Sequence, residues 1–192
     1  NAAKLVRAGA HAVKLEGGHE RIPMIEAIAD AEIPVMGHLG LTPQSVLAMG
    51  GFKVQGKSTQ AAMALLSDAK ALAHAGCFAM VLEGVPNEVG KFVTESIDIP
   101  TIGIGAGPDT DGQVLVFHDV LGIEDRFKPK FVRRYAALKQ LGVEALGEYA
   151  ADVRSGSFPA EDECYHLSDD EAEALGLYGS QPSEKEDPLR SW

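Results

Sequence analysis

The chain has 192 residues, of which 45% are hydrophobic, and a formal net charge of −11. This length suits one domain, or one domain with an appendage, and no apolar run approaches the roughly 20 residues of a membrane-spanning helix. The acidic balance excludes an electrostatic attraction to nucleic acid. Two cysteines without metal-ligand spacing fit a protein of the reducing cytoplasm.

The negative charge is concentrated near the C-terminal end of the sequence. Residues 161–192 contain ten acidic and two basic residues, so the first 160 residues carry a balance of only −3. We therefore predict a nearly neutral folded domain over 1–160 and an acidic tail over 161–192. The helical pattern at Ala2 to Arg7 has no start of its own, and we expect the sequence to be the downstream part of a longer protein.

Five short apolar segments predict β-strands, at 11–16, 33–38, 78–83, 99–105 and 113–118. Continuous apolar runs of this length are typical of a parallel sheet that helices cover on its faces. The segment Ala8–Gly17 is similar to Ala75–Gly84, which lies 67 positions later. An internal repeat of this size indicates a tandem architecture of strand–helix units.

Helical patterns separate these strands, and their predicted ranges are 20–31, 58–75 and 87–96, with two further helices near 129–138 and 141–154. Ser58 is the expected N-cap of the second helix. In the tail, the capping box that starts at Ser168 predicts a short helix near 169–175, which Gly176 should end. We expect residues 177–192 to be disordered or draped on a neighbour.

Polar residues end three successive predicted strands, and this pattern separates two α/β architectures. An open doubly wound sheet concentrates its site at one switch point, whereas a (βα)8 barrel builds its site from the ends of successive strands. The sequence therefore favours a (βα)8 TIM barrel. Five strands cannot close such a barrel, so we expect about three upstream units to be missing from this sequence.

Lys14 and Glu16 lie two positions apart on the first strand, so both side chains point to the same face. One interpretation is a structural ion pair between strands. The other is a carboxylate metal ligand beside a cation that neutralises an anionic substrate.

Two further side chains are candidates for the same place. Glu83 ends an apolar strand that supplies no countercharge, which suggests either a general base or a carboxylate exposed at the strand end. His38 could hydrogen-bond a substrate carboxylate, or it could cap the loop that follows its strand. His118 lies at the end of the fifth predicted strand. It could equally be a packing partner in the core or a residue that supports the active-site side chains from behind.

Four sequence blocks resemble ketopantoate hydroxymethyltransferase, which is also called 3-methyl-2-oxobutanoate hydroxymethyltransferase, and the resemblance runs in order from residue 1 to about 166. They are Lys14–Gly18, Gly37–Ser45, Gly51–Gly56 and Ile102–Gly107. The resemblance implies a (βα)8 barrel of which this chain supplies strands 4–8. It also implies a homo-oligomer that transfers a hydroxymethyl group from 5,10-methylenetetrahydrofolate, or a related pterin, to 3-methyl-2-oxobutanoate, giving 2-dehydropantoate.

The resemblance also implies roles for individual residues. Glu16 would bind Mg²⁺, Lys14 would bind the keto acid, His38 would lie in the substrate pocket and Glu83 would accept the proton. The family's other two metal ligands are aspartates in the part that precedes this sequence. We therefore expect this chain alone to bind the metal weakly or not at all.

Two alternatives stay open at this point. One is a Mg²⁺-dependent lyase or mutase of α-keto acids, of the phosphoenolpyruvate mutase and isocitrate lyase type, although no Lys-Lys-Cys-Gly-His-like loop is present. The other is a non-catalytic barrel homologue.

Overall fold

The computed structural model describes residues 1–177, apart from 46, 48 and 49. Nearly all of the segment 177–192, for which we expect disorder or packing on a neighbour, lies outside the described residues. The chain forms two compact units, and the second begins at Gln140. The boundary between a folded domain and an acidic tail at residues 160 and 161 stays a prediction.

In the described part of the chain, one sheet contains five strands that are all parallel. The strands are β1 (Val13–Glu16), β2 (Val35–Gly40), β3 (Cys77–Glu83), β4 (Thr101–Ile104) and β5 (Gly112–Gln113). Their order in the sheet is their order in the sequence. This confirms the predicted α/β class, and an order without reversal is that of consecutive strands in a (βα)8 barrel.

Helices connect the strands and continue after them. They are α1 (Ala2–Arg7), α2 (Ile22–Ala29), α3 (Thr59–His74), α4 (Asn87–Thr94), α5 (Phe117–Val120), α6 (Leu138–Ser155) and α7 (Asp169–Ala174). Short 3₁₀ helices lie at His19–Arg21, Pro43–Ser45 and Glu161–Glu163. The helices predicted at 20–31, 58–75, 87–96, 141–154 and 169–175 are confirmed, with ends that differ by a few residues. None of the described helices combines the length and the apolar composition that crossing a bilayer requires.

The core lies between α3 and the sheet. Four buried residues of α3 recur at helical spacing, namely Leu65, Leu66, Ala69 and Leu72. They belong to one buried cluster with Val35 of β2 and with Met80 and Leu82 of β3. Because one helix covers the middle strands, α3 holds the strands that carry His38 and Glu83.

One predicted element has the wrong bounds, and another is absent. The fifth strand is limited to Gly112–Gln113, and Phe117 and His118 lie in α5 instead. β4 ends at Ile104, so the backbone beyond Val114 has no strand to pair with, and Val120 N–H donates to Val116 C=O to form a helical turn.

The helix predicted near 129–138 is also absent. There, Tyr135 N–H donates to Val120 C=O and Leu138 N–H donates to Leu121 C=O. Bonds to residues 120 and 121 replace the local bonds that a helix needs.

Candidate active site

The parallel register brings the ends of three strands together at one edge of the sheet. Glu16, the last residue of β1, is in register with His38 of β2, and Gly40 of β2 is in register with Glu83, the last residue of β3. Carboxyl ends of parallel strands are where α/β enzymes place their functional groups. The structure therefore brings together three of the predicted site residues, and Lys14 joins them through its contact with His38.

His38 is the centre of this group. Its side chain is only 1% exposed, and its Nδ1 atom lies 3.1 Å from Lys14 Nζ and 3.6 Å from Glu16 Oε1. Its Nε2 atom lies 3.1 Å from Glu83 Oε2. One buried imidazole thus bridges the cation and both carboxylates, a role that the sequence did not predict.

The contact with Lys14 indicates which tautomer a neutral imidazole adopts here. An ammonium group can only donate, so Nδ1 of a neutral His38 accepts and the ring proton lies on Nε2. Nε2 is buried and, among the described residues, makes no hydrogen bond of good geometry despite its closeness to Glu83. A buried donor without a good partner is costly, so this atom is available to a ligand.

The ammonium group of Lys14 is also available to bind a ligand. Within the described residues no ion pair joins Lys14 to a carboxylate, and its ammonium group contacts His38. The structure thus shows no ion pair of Lys14 with a carboxylate in the part of the chain it describes, and the functional interpretation of Lys14 and Glu16 stays a prediction. An ammonium group beside a neutral imidazole can bind an anion.

Glu16 is held by the loop that follows β2. Its Oε2 atom accepts a hydrogen bond from the backbone N–H of Gln44 at 2.9 Å, while Oε1 faces His38. Sequence reasoning missed this contact because a backbone donor leaves no residue type to detect. The loop sequence Leu41-Thr42-Pro43-Gln44 thereby orients the carboxylate that ends β1.

Gly40 permits the close approach of β2 to the end of β3. It has φ +89°, and a Cβ atom built there would lie 2.2 Å from the carbonyl oxygen of Glu83. Only glycine fits in this conformation at this distance. The next residue, Leu41, then donates its N–H to that same oxygen at 2.7 Å, which fixes the backbone beneath the Glu83 side chain.

Glu83 differs from expectation in one respect. Its own strand supplies no countercharge, as expected, but the sequence did not predict that His38 of the neighbouring strand lies beside it, and the Glu83 side chain is 15% exposed. The partner comes from β2, which the apolar sequence of β3 cannot reveal.

A cavity of about 550 Å³ opens in front of these groups. Its polar lining comes from Lys14, His38 and Glu83, at the carboxyl edge of the sheet. The rest is mainly apolar and is contributed by Met36, Pro43, Val81, Ile102, Ile104, Val114, Leu115 and Val116. Glu16 is not part of this lining. A cavity with a few convergent polar groups on an apolar wall suits a small anionic molecule with an aliphatic part.

The described residues supply part of a binding site for a divalent cation. Glu16 offers a nearly buried carboxylate oxygen, the type of ligand that Mg²⁺ prefers, and Mg²⁺ often takes only one or two protein carboxylates. Among the described residues no group of three or more histidine, cysteine, aspartate or glutamate side chains is placed to hold a metal. Glu16 can therefore be one ligand of a site that needs others.

The parallel α/β fold and its charged cavity define the general class, an α/β protein with an enzyme-like site at the carboxyl ends of its strands. The family model described as ketopantoate hydroxymethyltransferase matches residues 1–161. This chain belongs to the ketopantoate hydroxymethyltransferase family.

Individual relatives agree with this assignment. The chain is 61% identical over 169 residues to 3-methyl-2-oxobutanoate hydroxymethyltransferase 2 of Bradyrhizobium diazoefficiens, an alignment that covers 88% of this chain and 58% of the relative. It is 56% identical over 171 residues to the 3-methyl-2-oxobutanoate hydroxymethyltransferase of Syntrophobacter fumaroxidans, covering 89% of this chain and 61% of the relative. The chain thus spans about three-fifths of the length of these relatives.

A solved structure also aligns with the chain. A putative lyase/mutase from Burkholderia cenocepacia J2315 covers 91% of this chain and 62% of its own, with a TM-score of 0.38 and 14% identity. These values are too low to bear on the fold or the function.

Proposed function

We propose that the whole protein transfers a hydroxymethyl group from 5,10-methylenetetrahydrofolate, or a related pterin, to 3-methyl-2-oxobutanoate. The product is 2-dehydropantoate. The observation that carries this proposal is the convergence of Lys14, His38 and Glu83 on one largely apolar cavity, in a chain of this family.

The cavity matches the keto acid group by group. The ammonium of Lys14 can pair with the substrate carboxylate, and the buried Nε2–H of His38 can donate to a substrate oxygen. The branched alkyl end of the substrate can pack against apolar side chains such as Val81, Ile104 and Val116. Both ends of the small molecule are therefore recognised by residues of this chain.

Glu83 is the proposed base. Its carboxylate lines the cavity and can accept the proton at C3 of the keto acid, so that the electron pair of the broken C–H bond enters the enolate. C3 then forms the new carbon–carbon bond with the methylene carbon, and the two carbon–nitrogen bonds that hold this carbon to the folate break. In the overall balance water supplies the hydroxyl group, and the two folate nitrogens take up the proton from C3 and one proton of water, so that tetrahydrofolate leaves. Mg²⁺, when bound at a site that includes Glu16, supplies a Lewis acid for the keto oxygen.

The test uses 3-methyl-2-oxobutanoate in D₂O with Mg²⁺ and the full-length protein, first without folate. Proton NMR should show loss of the C3 proton signal, and Glu83→Gln should slow this loss by roughly 10²–10⁴-fold, the usual contribution of a general base. The matched control is Glu88→Gln, which removes an exposed carboxylate on α4 and should exchange like the wild type.

Absence of exchange in the wild type, both before and after addition of the folate, would contradict the proposed activity. Exchange that is as fast in Glu83→Gln as in the wild type would leave the activity standing and exclude Glu83 as its base.

We also propose that the protein lies in the cytoplasm and that it forms a homo-oligomer. Cys77 and Cys164 are unpaired, as is usual in a reducing compartment. In α6, Leu141, Leu146 and Tyr149 are exposed, which supports burial against another subunit.

A further inference from the structure

A strongly basic stretch follows α5 in a chain that is acidic as a whole. Residues 124–139 contain six basic and two acidic residues, whereas the complete chain has a net charge of −11. We refer to residues 126–134, with the sequence Arg-Phe-Lys-Pro-Lys-Phe-Val-Arg-Arg, as the basic segment. Its charge is opposite in sign to that of the rest of the molecule.

The two acidic residues beside the basic segment are already engaged. Glu124 forms a bidentate pair with Arg126, with Oε2 2.6 Å from Nη2. Hydrogen bonds from the side chain and from the backbone N–H of Arg126 lower the pKa of Glu124 to about 2. Asp125 pairs with Lys139. Lys128, Lys130 and Arg133 are exposed and, among the described residues, have no acidic partner. Three positive charges therefore face the solvent without compensation.

The basic segment is anchored at the same edge of the sheet as the candidate active site. Phe131 packs on Gly105, where a Cβ atom would lie 2.6 Å from the Phe131 ring, and Val132 is buried. Gly105 directly follows Ile104, the residue of β4 that is in register with Glu83. The unpaired cations are thus attached next to the strand that carries the proposed base.

These cations are complementary in charge to an anionic chain bound at this edge of the sheet. If the proposed function holds, on which this inference depends, the folate co-substrate brings such a chain, because each γ-linked glutamate of its tail adds a carboxylate. We propose that Lys128, Lys130 and Arg133 bind the polyglutamate tail of the folate. The main effect is on the affinity for the co-substrate, because these residues are on a different part of the chain from the groups that act on the keto acid.

The experiment compares tetrahydrofolate pentaglutamate with the monoglutamate on the full-length protein. Calorimetry gives the Kd of each folate, and turnover with the corresponding 5,10-methylene forms gives KM. The wild type should prefer the pentaglutamate by roughly ten-fold, as expected for three exposed charge pairs. The triple variant Lys128→Gln, Lys130→Gln, Arg133→Gln should lose this preference while the affinity for the monoglutamate and the KM for the keto acid stay unchanged.

A matched control removes the same number of charges elsewhere. The substitutions Lys70→Gln, Lys91→Gln and Arg154→Gln replace two exposed lysines and one exposed arginine on α3, α4 and α6. This variant should retain the full preference. High salt should narrow the preference of the wild type, because exposed charge pairs are screened.

Several outcomes would overturn the inference. The wild type could bind both folates equally well, or the triple variant could keep the preference for the pentaglutamate. The triple variant could also bind both folates more weakly by the same factor. Failure of the proposed function can be distinguished from failure of this inference. If the proposed function fails, turnover is absent in every variant, but calorimetry still shows whether the wild type prefers the pentaglutamate and whether the triple variant loses that preference.

Discussion

At the level of single residues, His38 connects groups that the sequence places far apart. The sequence identified Lys14, Glu16, His38 and Glu83 separately, because each lies in or at the end of an apolar strand. It could not predict that His38 contacts all three others. Those contacts depend on the register of β1, β2 and β3, which is set by packing between segments distant in the chain.

Asp111 gives a residue-level prediction about pH. The backbone N–H and the hydroxyl of the buried Thr101 donate to Asp111 Oδ2 at 2.8 and 3.0 Å, and these hydrogen bonds lower the pKa of the Asp111 carboxyl. The ionised form is therefore favoured by folding, so its stabilisation is complete above the ordinary pKa of 3.8 and is lost as pH falls through the lower folded value.

We expect Asp111→Asn to reduce the free energy of unfolding by about 0.5–1 kcal/mol at pH 7, because a charge-assisted bond becomes a neutral one at a partly solvated site. Urea unfolding should show that this difference is constant above pH 5 and narrows below pH 3.8. Asp109→Asn, an exposed acid without a described hydrogen bond, is the control and should change little. A difference that grows as the pH falls would contradict the argument.

At the level of secondary structure, the sequence predicted elements well where periodicity and caps agree. The strands at β1 to β4 and the helix α3 have clear apolar patterns, and both Ser58 and Ser168 cap their helices as expected. The errors lie at 113–118 and 129–138, where hydrogen bonds to other segments decide the conformation. Apolar residues alone could not indicate that Tyr135 and Leu138 donate to residues 120 and 121.

The N-cap of α3 gives a prediction at this level. Ser58 Oγ accepts from the backbone N–H of Ala61 at 3.1 Å, which satisfies one of the free donors at the start of the helix. Ser58→Ala should therefore lower the free energy of unfolding by about 1 kcal/mol in urea titrations.

The control for this prediction is Ser67→Ala, which replaces an exposed serine in the interior of the same helix. It should be neutral or slightly stabilising, because alanine has the higher helix propensity. Equal effects of the two substitutions would show that the cap does not contribute.

At the level of the whole molecule, metal binding should depend on more than this chain. Glu16 is one nearly buried carboxylate, and the described residues offer no complete ligand set. In calorimetric titrations with Mg²⁺, we expect residues 1–192 alone to show no saturable binding. The full-length protein should bind the metal, and Glu16→Gln should weaken that binding by roughly ten-fold or more.

The control for the metal titration is Glu26→Gln, which replaces an exposed glutamate of α2. It should bind Mg²⁺ like the wild type. Unchanged affinity of Glu16→Gln, with an unchanged circular dichroism spectrum, would exclude Glu16 as a ligand.

The order of the strands has a consequence for how the molecule acquires its structure. Every strand pairs with the next one along the chain, so each new strand can join a sheet whose edge has already formed. The first three pairings join residues 21 to 43 positions apart, such as Met80 with Thr101 and His38 with Val81, so each must close a long loop before it forms. The sequential order still allows the sheet to grow in the direction of synthesis on the ribosome, and the group around His38 is complete only once β3 has emerged.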